Sequence, residues 1–198
     1  MPRFSRLPQA VQDRLPQRIP TWKELTSSPR ALRTGLNLWP PYRFAGVRVE
    51  EISDDWRYAR VRLGFSPLTR NYVGTQFGGS LFSMTDAFWM ILVLHGLGDD
   101  YVVWDKRGEI EFVKPGRSVV RAEFRVTDAL LDELRAATAG GDKVLRWVET
   151  EIRDAGGDVV AIVRKQLSVR RKRPRSLNRV GGQPSPHVRR RTTEPVEE

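Results

Sequence analysis

The sequence has no cysteine and only two histidines, His95 and His187. Without cysteine the chain can form neither a disulfide framework nor a thiolate metal site. Because the chain has only these two histidines, far apart in the sequence, we expect neither a multi-histidine metal site nor a Ser-His-Asp triad. We therefore predict that no metal is bound. The first twenty residues also lack the apolar stretch of a signal peptide and contain four prolines. We therefore expect a cytoplasmic protein.

Acidic residues are scarce at one end of the chain. Residues 164–198 hold 11 Lys and Arg but only three Glu, whereas the first 163 residues hold 23 basic and 21 acidic side chains. The formal net charge of +10 therefore belongs mostly to this end. Residues 170–198 are basic, rich in Gly, Pro and Ser and without periodicity, which predicts a disordered tail. Residues 1–25 are Pro-rich and basic, and we expect them to be flexible. One folded domain is predicted between them, over residues 26–169.

The stretch from Asn71 to His95 is the most informative part of the sequence, since Asp86 is the one formally charged residue in it. A loop rich in glycine and small polar residues precedes a long apolar run, which predicts one buried helix over residues 78–95. The run is long enough to span a bilayer. However, Asp86 at its centre and strand-like segments on both sides favour the core helix of a globular domain.

Strand patterns surround this helix. Two alternating segments, 47–52 and 56–63, precede it, and Ser53, Asp54 and Asp55 supply the turn between them. Four more segments follow, at 101–112, 118–126, 143–153 and 159–169, with an amphipathic helix predicted over 128–139. The order predicts an α+β domain in which a curved antiparallel sheet wraps around one long central helix.

The junction of loop and helix resembles a known signature. Its residues are Asn71, Gly74, Gly78, Gly79 and Asp86, and their spacing resembles that of the hotdog-fold acyl-CoA thioesterases of the phenylacetyl-CoA thioesterase type. That signature reads Asn-x-x-Gly-x-x-His-Gly-Gly, with Asp seven residues later. A second resemblance, to an uncharacterised group of bacterial hotdog proteins, lies in Gly-Thr-x-Phe-Gly-Gly and in the Trp104-Asp105-Lys106 run. Together the two resemblances cover about residues 30–170.

The resemblance implies a dimeric hotdog fold and hydrolysis of an acyl-thioester, with no cofactor because CoA is part of the substrate. Asp86 would be the general base or nucleophile, its basicity increased by burial, and would act with Asn71 and Gly79 of the partner subunit. The backbone N–H groups of Gly78 and Gly79 would stabilise the negative charge that develops on the carbonyl oxygen. Ser83 and Met84 would line the acyl tunnel, and Ser83 could also hold the attacking water.

One departure from the signature concerns Phe77, which stands where that family has histidine. The absence of this histidine removes a side-chain donor near the carbonyl, so a non-catalytic acyl-CoA-binding or regulatory protein is the main alternative. Asp86 could also be a structural carboxylate, and Asn71 could be a loop residue that forms hydrogen bonds within its own turn and has no other role.

Basic side chains suggest contacts with phosphate groups. Lys114 and Arg117 are candidates at the rim of the site for the phosphates of CoA. Residues 164–198 could give weak contact with nucleic acid or an anionic surface, a clamp on CoA, or only a solvated tail. Since no aromatic residues alternate with these cations, sequence-specific recognition of nucleic acid is not predicted. A homodimer or a dimer of dimers is expected, and the acyl group is left open.

Overall fold

The fold is described from a computed structural model, which defines residues 27–172. The predicted segment 1–25 and the tail beyond residue 172 lie outside these residues. Helix α1 spans Pro29–Leu38 and begins with a capping hydroxyl, since Ser28 Oγ accepts the Ala31 N–H at 3.2 Å and Pro29 lies in the first turn. Trp39 ends it, and a short second helix, α2, follows over Pro40–Ala45.

The described residues form a six-stranded antiparallel sheet. Its strands are β1 Val47–Ile52, β2 Tyr58–Leu63, β3 Tyr101–Phe112, β4 Val120–Arg125, β5 Val144–Asp154 and β6 Val159–Arg171. Their spatial order is β1-β2-β4-β5-β6-β3, so that β1 and β3 are the two edges. This confirms the predicted strands, with β2 and β4 shorter than expected. Strand β2 begins at Tyr58 because Trp56 has a left-handed φ of 59° in the hairpin turn, which ends regular pairing there.

Two helices in the middle of the chain lie against the sheet. Helices α3, Gly78–Ser83, and α4, Phe88–Leu97, follow one another as the predicted central helical segment. The predicted long central helix is thus present, and a turn at residues 84–87 divides it into these two parts. Thr85 and Asp86 donate their N–H groups to residues three positions earlier, at 3.1 Å each, and the Thr85 hydroxyl also bonds Phe82 O at 2.8 Å. These contacts tighten the chain into a turn between α3 and α4.

The helical segment Gly78–Leu97 is long and apolar enough to cross a membrane, with a mean hydropathy of 1.4. Half of it is buried inside the domain, where Phe88, Trp89 and Leu92 belong to the core. The core helix of a globular protein passes the same test, as the sequence had indicated. A last helix, α5, spans Asp128–Ala137 between β4 and β5, and Thr127 caps it by accepting the Leu130 N–H at 3.2 Å.

A β-bulge in β3 changes which side chains face the helices. Asp105 pairs with Leu167 and Arg107 with Gln166, so Lys106 is the extra residue. Before the bulge the inward positions are odd-numbered, as in Val103 and Asp105; after it they are even-numbered. The bulge therefore places Asp105 and the later residues Gly108, Ile110 and Phe112 on the same concave face.

Candidate functional site

The loop before α3 is closed by Asn71. Its Oδ1 accepts the Thr75 N–H at 2.9 Å, and its Nδ2 donates to Thr75 Oγ1 at 2.9 Å and to Gln76 O at 3.3 Å. The backbones of Asn71 and Thr75 are also bonded, at 2.8 Å. Asn71 is thus engaged with its own turn, which was the alternative to a role in orienting water or substrate. Its catalytic role remains a proposal.

Two phenyl rings lie beside the glycine pair at the start of α3. A Cβ on Gly79 would be 2.5 Å from Cε1 of Phe77, and one on Gly78 would be 2.8 Å from Cζ of Phe112. Both rings are more than half exposed, at 54% for Phe77 and 58% for Phe112. The absence of a side chain at both positions therefore makes room for aromatic rings against the backbone. The predicted approach of an acyl group would use the same space.

Asp86 occupies the turn between α3 and α4, and its surroundings differ from those predicted. The side chain is 63% exposed, whereas burial was expected. The physical reason is the break in the helical segment, which turns residue 86 outward. Asp86 Oδ1 accepts a 2.5 Å hydrogen bond from the ammonium group of Lys165.

Lys165 was not predicted as part of the site, and it is the ammonium that organises this region. It lies on β6, its side chain is 4% exposed, and its Nζ is also 3.5 Å from Asp105 Oδ2 on β3. Nζ lies 4.8 Å from the centre of the Phe82 ring. A signal was present in the sequence: lysine occupies an inward position of β6, between Val163 and Leu167, where alternation predicts an apolar residue.

Two further titratable groups lie near this ion pair. Burial raises the pKa of Asp105, the positive charge of Lys165 lowers it, and the charge of Asp86 raises it; the net pKa lies above the ordinary value. Burial, and after it the charge of Asp86, raises the pKa of Tyr42 on α2, and the Ala87 N–H offsets part of this. Asp86, Asp105, Lys165 and Tyr42 therefore form one electrostatic group around the turn.

A cavity of about 390 Å³ adjoins the glycine pair on the side of the β3–β4 loop. It brings together predicted site residues from separate parts of the sequence, and its lining includes Asn71, Thr75, Gln76, Gly78, Phe112 and Lys114. Lys114 donates to Asp158 at 2.6 Å and pairs with Asp154 at 2.9 Å. The hydrogen bonds to these two carboxylates raise the pKa of Lys114. Its positive charge is thus already balanced, whereas Arg117 is exposed in the same loop.

The two residues predicted to line an acyl tunnel differ in burial. Ser83 is half-buried, and its carbonyl accepts the Asp86 N–H at 3.1 Å. Met84 is 0% exposed and belongs to the core of the single chain. Contact of either side chain with an acyl group remains a prediction.

The basic region 164–198 is only partly within the described residues. Strand β6 continues to Arg171, and Lys165 is buried. Lys165 therefore cannot take part in the nucleic-acid or anionic-surface contact that was predicted for this region. Residues 173–198 lie outside the described part of the chain, and that contact stays a prediction.

Within residues 27–172, no group of three or more His, Cys, Asp or Glu side chains is arranged to hold a metal ion. The charged groups near the turn are instead two carboxylates and an ammonium group. An accessible carboxylate held by a buried cation can activate water or attack a carbonyl carbon. The first-turn N–H groups of Gly78 and Gly79 lie at the other end of α3.

The sheet order and the central helical segment define the hotdog fold of thioesterase-like proteins. PA5026 from Pseudomonas aeruginosa, described as a protein of unknown function and probable thioesterase, has a TM-score of 0.62 at 21% identity, over 70% of this chain and 93% of that one. OLEI01261 from Chlorobaculum tepidum, of unknown function, has a TM-score of 0.57 at 15% identity, over 73% and 98%. The thioesterase HI1161 from Haemophilus influenzae has a TM-score of 0.51 at 13% identity, over 78% and 93%.

The chain belongs to the family described as a domain of unknown function, DUF4442, whose profile matches residues 29–169. Among curated proteins, no sequence matches the chain significantly. The predicted hotdog fold and the predicted resemblance to thioesterase-like proteins are thus confirmed. The identities to the solved structures are low, so that these structures establish the fold alone.

Proposed function

We propose that this protein is a cytoplasmic enzyme that hydrolyses an acyl-thioester of the acyl-CoA type without a separate cofactor. The observation that carries the proposal is the Asp86 carboxylate, which is 63% exposed and bonded to a buried ammonium group. Activation of water, or direct attack on a thioester carbonyl, needs an accessible carboxylate in a fixed position. The description of PA5026 as a probable thioesterase and of HI1161 as a thioesterase supports the same reaction.

The glycine pair would supply the hydrogen-bond donors that the reaction needs. The N–H groups of Gly78 and Gly79 lie in the first turn of α3, where they have no acceptor within the helix. They can donate to the oxygen of the thioester as negative charge develops on it. In the general-base form, water attacks the carbonyl carbon and Asp86 takes its proton. The C–S bond then breaks, and the departing thiolate receives that proton.

The separation of Asp86 from the glycine pair favours two subunits for this site. Asp86 follows Gly79 by seven residues, across α3 and the turn after it, a span of roughly 10 Å at helical rise. A single carbonyl group cannot lie within hydrogen-bonding distance of both, since each contact reaches only about 3 Å. We therefore infer a homodimer, alone or as a dimer of dimers, in which Asp86 of one protomer acts with Gly79 and Asn71 of its partner.

Exposed aromatic side chains near the glycine pair support association on this side of the molecule. Tyr72, Phe77 and Phe112 are all exposed, and Phe112 belongs to the edge strand β3. Clusters of exposed apolar residues and unpaired strand edges are typical of interaction surfaces. A partner chain would cover both.

A second candidate is a protein that binds acyl-CoA without hydrolysing it. The observation in its favour is Phe77, whose ring lies against Gly79 and provides no hydrogen-bond donor. Loss of one donor to a developing oxyanion typically costs about a hundred- to a thousand-fold in rate. Such a protein would keep the cavity and lose turnover.

The test is release of CoA from short, long and aromatic acyl-CoAs, detected with a thiol reagent. Asp86→Asn should abolish release while the fold and the oligomeric state stay unchanged. Asp142→Asn, which removes an exposed carboxylate in the turn after α5, is the matched control and should keep full activity. Equal rates for wild type and Asp86→Asn would refute the proposed mechanism. No turnover together with saturable thermal stabilisation by acyl-CoA would favour the binding protein.

A further inference from the structure

Lys165 lies where the fold offers an ammonium group little solvation. Its neighbours on the concave face of β6 are Val163 and Leu167, and Val148 lies opposite it on β5. The residue is 3% exposed. Burial of a charge is costly unless the charge is paired, so the neighbouring carboxylates explain why lysine is tolerated at this position.

Those carboxylates outnumber the cation. Asp86 Oδ1 is 2.5 Å from Lys165 Nζ, and Asp105 Oδ2 is 3.5 Å from it. Asp105 is 24% exposed, and its Oδ1 has no hydrogen-bond partner among the described residues. When all three groups are ionised, the cluster has a formal charge of −1. The nearer carboxylate, Asp86, is also the more exposed one.

We propose that Lys165 and Asp105 are positioning residues for Asp86, with Lys165 fixing the carboxylate and Asp105 preventing its full neutralisation. This inference rests on the proposed thioester hydrolysis. A carboxylate paired one-to-one with a buried ammonium group is a weak base, because transfer of a proton to it would leave the cation unpaired. When two carboxylates share one cation, the excess negative charge keeps the nearer carboxylate basic while its orientation stays fixed.

The surroundings limit the groups that can produce this effect. The turn between α3 and α4 contributes Asp86, β3 contributes Asp105, and α2 contributes the hydroxyl group of Tyr42. On the side of β5 the cluster faces the apolar Val148. The pKa of Asp105 responds to both neighbours: the charge of Lys165 lowers it and that of Asp86 raises it.

The first test is the pH dependence of kcat/KM in Lys165→Met and Asp105→Asn. Removal of the cation disfavours the ionised carboxylate, so in Lys165→Met the acid limb should move to higher pH by about one unit, with at least a tenfold loss of rate. Removal of the competing negative charge in Asp105→Asn should move the acid limb to lower pH and reduce the plateau. Lys106→Met removes the same charge from an exposed neighbouring position and should leave the profile unchanged.

Shifts of opposite sign support the inference, and shifts of the same sign, or none in either variant, overturn it. A merely structural cluster would change the melting temperature of both variants and leave the acid limb in place. Lys165→Met replaces a buried cation with an apolar side chain of similar length, which suits its neighbours. Asp105→Asn keeps the shape of the residue and provides the second, independent measurement.

An NMR titration of the side-chain carboxyl carbons separates this inference from the proposed function, since it needs no turnover. The titration midpoint of Asp105 should rise in Lys165→Met and fall in Asp86→Asn. If the wild type does not hydrolyse thioesters but both shifts occur, the charge coupling holds and the proposed function fails. If hydrolysis occurs but neither the midpoint nor the acid limb moves, the proposed function holds and this inference fails.

Discussion

The ring of Phe112 lies against the backbone of Gly78, so that a Cβ on this glycine would be 2.8 Å from the ring's Cζ atom. The two residues come from different elements, since Phe112 ends β3 and Gly78 begins α3. Their contact forms one wall of the cavity beside the glycine pair. The space above Gly78 is therefore controlled by a residue more than thirty positions away in the sequence.

Gly78→Ala should have opposite effects in two backgrounds. In the wild type the new methyl group must displace the Phe112 ring, and we expect a loss of about 1 kcal/mol in the free energy of unfolding. In a Phe112→Ala background the clash is absent, and the same change should stabilise α3 by about 0.5–1 kcal/mol. Urea unfolding of the four proteins measures both effects. Equal effects in the two backgrounds would contradict the packing of the ring.

Phe77→His should increase thioester hydrolysis. Histidine would restore a side-chain donor beside Gly79, and one such donor typically contributes about a hundred- to a thousand-fold. Because the surrounding residues are not adapted to histidine, we expect a gain of at least about tenfold in kcat/KM. Phe77→Leu supplies no donor and serves as the control. Identical rates in the two variants would mean that residue 77 lies away from the reacting carbonyl.

Trp89 and Thr150 should be coupled in stability. The indole N–H of Trp89 donates a 2.6 Å hydrogen bond to Thr150 Oγ1, and both residues are buried. Trp89→Phe and Thr150→Val should each reduce the free energy of unfolding by about 1–3 kcal/mol, because each leaves a buried polar group without its partner. The double variant should lose less than the sum, by about 1 kcal/mol. Trp104→Phe, on an exposed ring, should change it by less than about 0.5 kcal/mol.

Glu50 should contribute stability that depends on pH. Burial raises the pKa of Glu50. The hydrogen bond and charge of Arg121, together with the charges of Arg60 and Arg62, lower it by more, so that the pKa lies below its ordinary value of 4.5. A lowered pKa in the folded state means that the contribution is fully present above about pH 4.5 and is lost as the pH falls through the folded value. Glu50→Gln should thus cost about 0.5–1.5 kcal/mol at pH 7.

The difference between Glu50→Gln and the wild type should shrink steadily below about pH 4.5. Urea unfolding at pH 7, 5, 4 and 3 measures it, with Glu111→Gln on the exposed side of β3 as the control. A difference that stays constant over this range would mean that the glutamate is not stabilised as an ion.

The strands could be predicted because alternation with a period of two records which face of a strand is buried. Val120, Ala122 and Phe124 are all fully buried on β4, as their alternation with charged residues indicates. Helix α5 could be predicted for the same reason, since its amphipathic pattern is local to residues 128–137. The start of β2 could not be predicted, because the sequence does not indicate the left-handed backbone of Trp56.

The environment of Asp86 could not be predicted from its apolar neighbours. An apolar run indicates burial on average, whereas a short run of tight hydrogen bonds around Thr85 turns one residue outward. Its partner, Lys165, follows by 79 residues. Only the sheet order brings β6 beneath the turn, so that local patterns could reveal an unusual lysine but not the carboxylate that it meets.

The bulge at Lys106 has a consequence for how the length of this chain can vary. If every residue of β3 paired one to one with β6, strict alternation would turn each side chain after position 105 to the other face. Ile110 and Phe112 would then leave the concave face on which Asp105 stands. Deletion of Lys106 would instead remove the bulge and keep the partners, with Arg107 opposite Gln166 and Gly108 opposite Lys165. Homologous chains should therefore tolerate the loss of a residue at position 106, whereas a deletion between Arg107 and Phe112 should disturb the concave face.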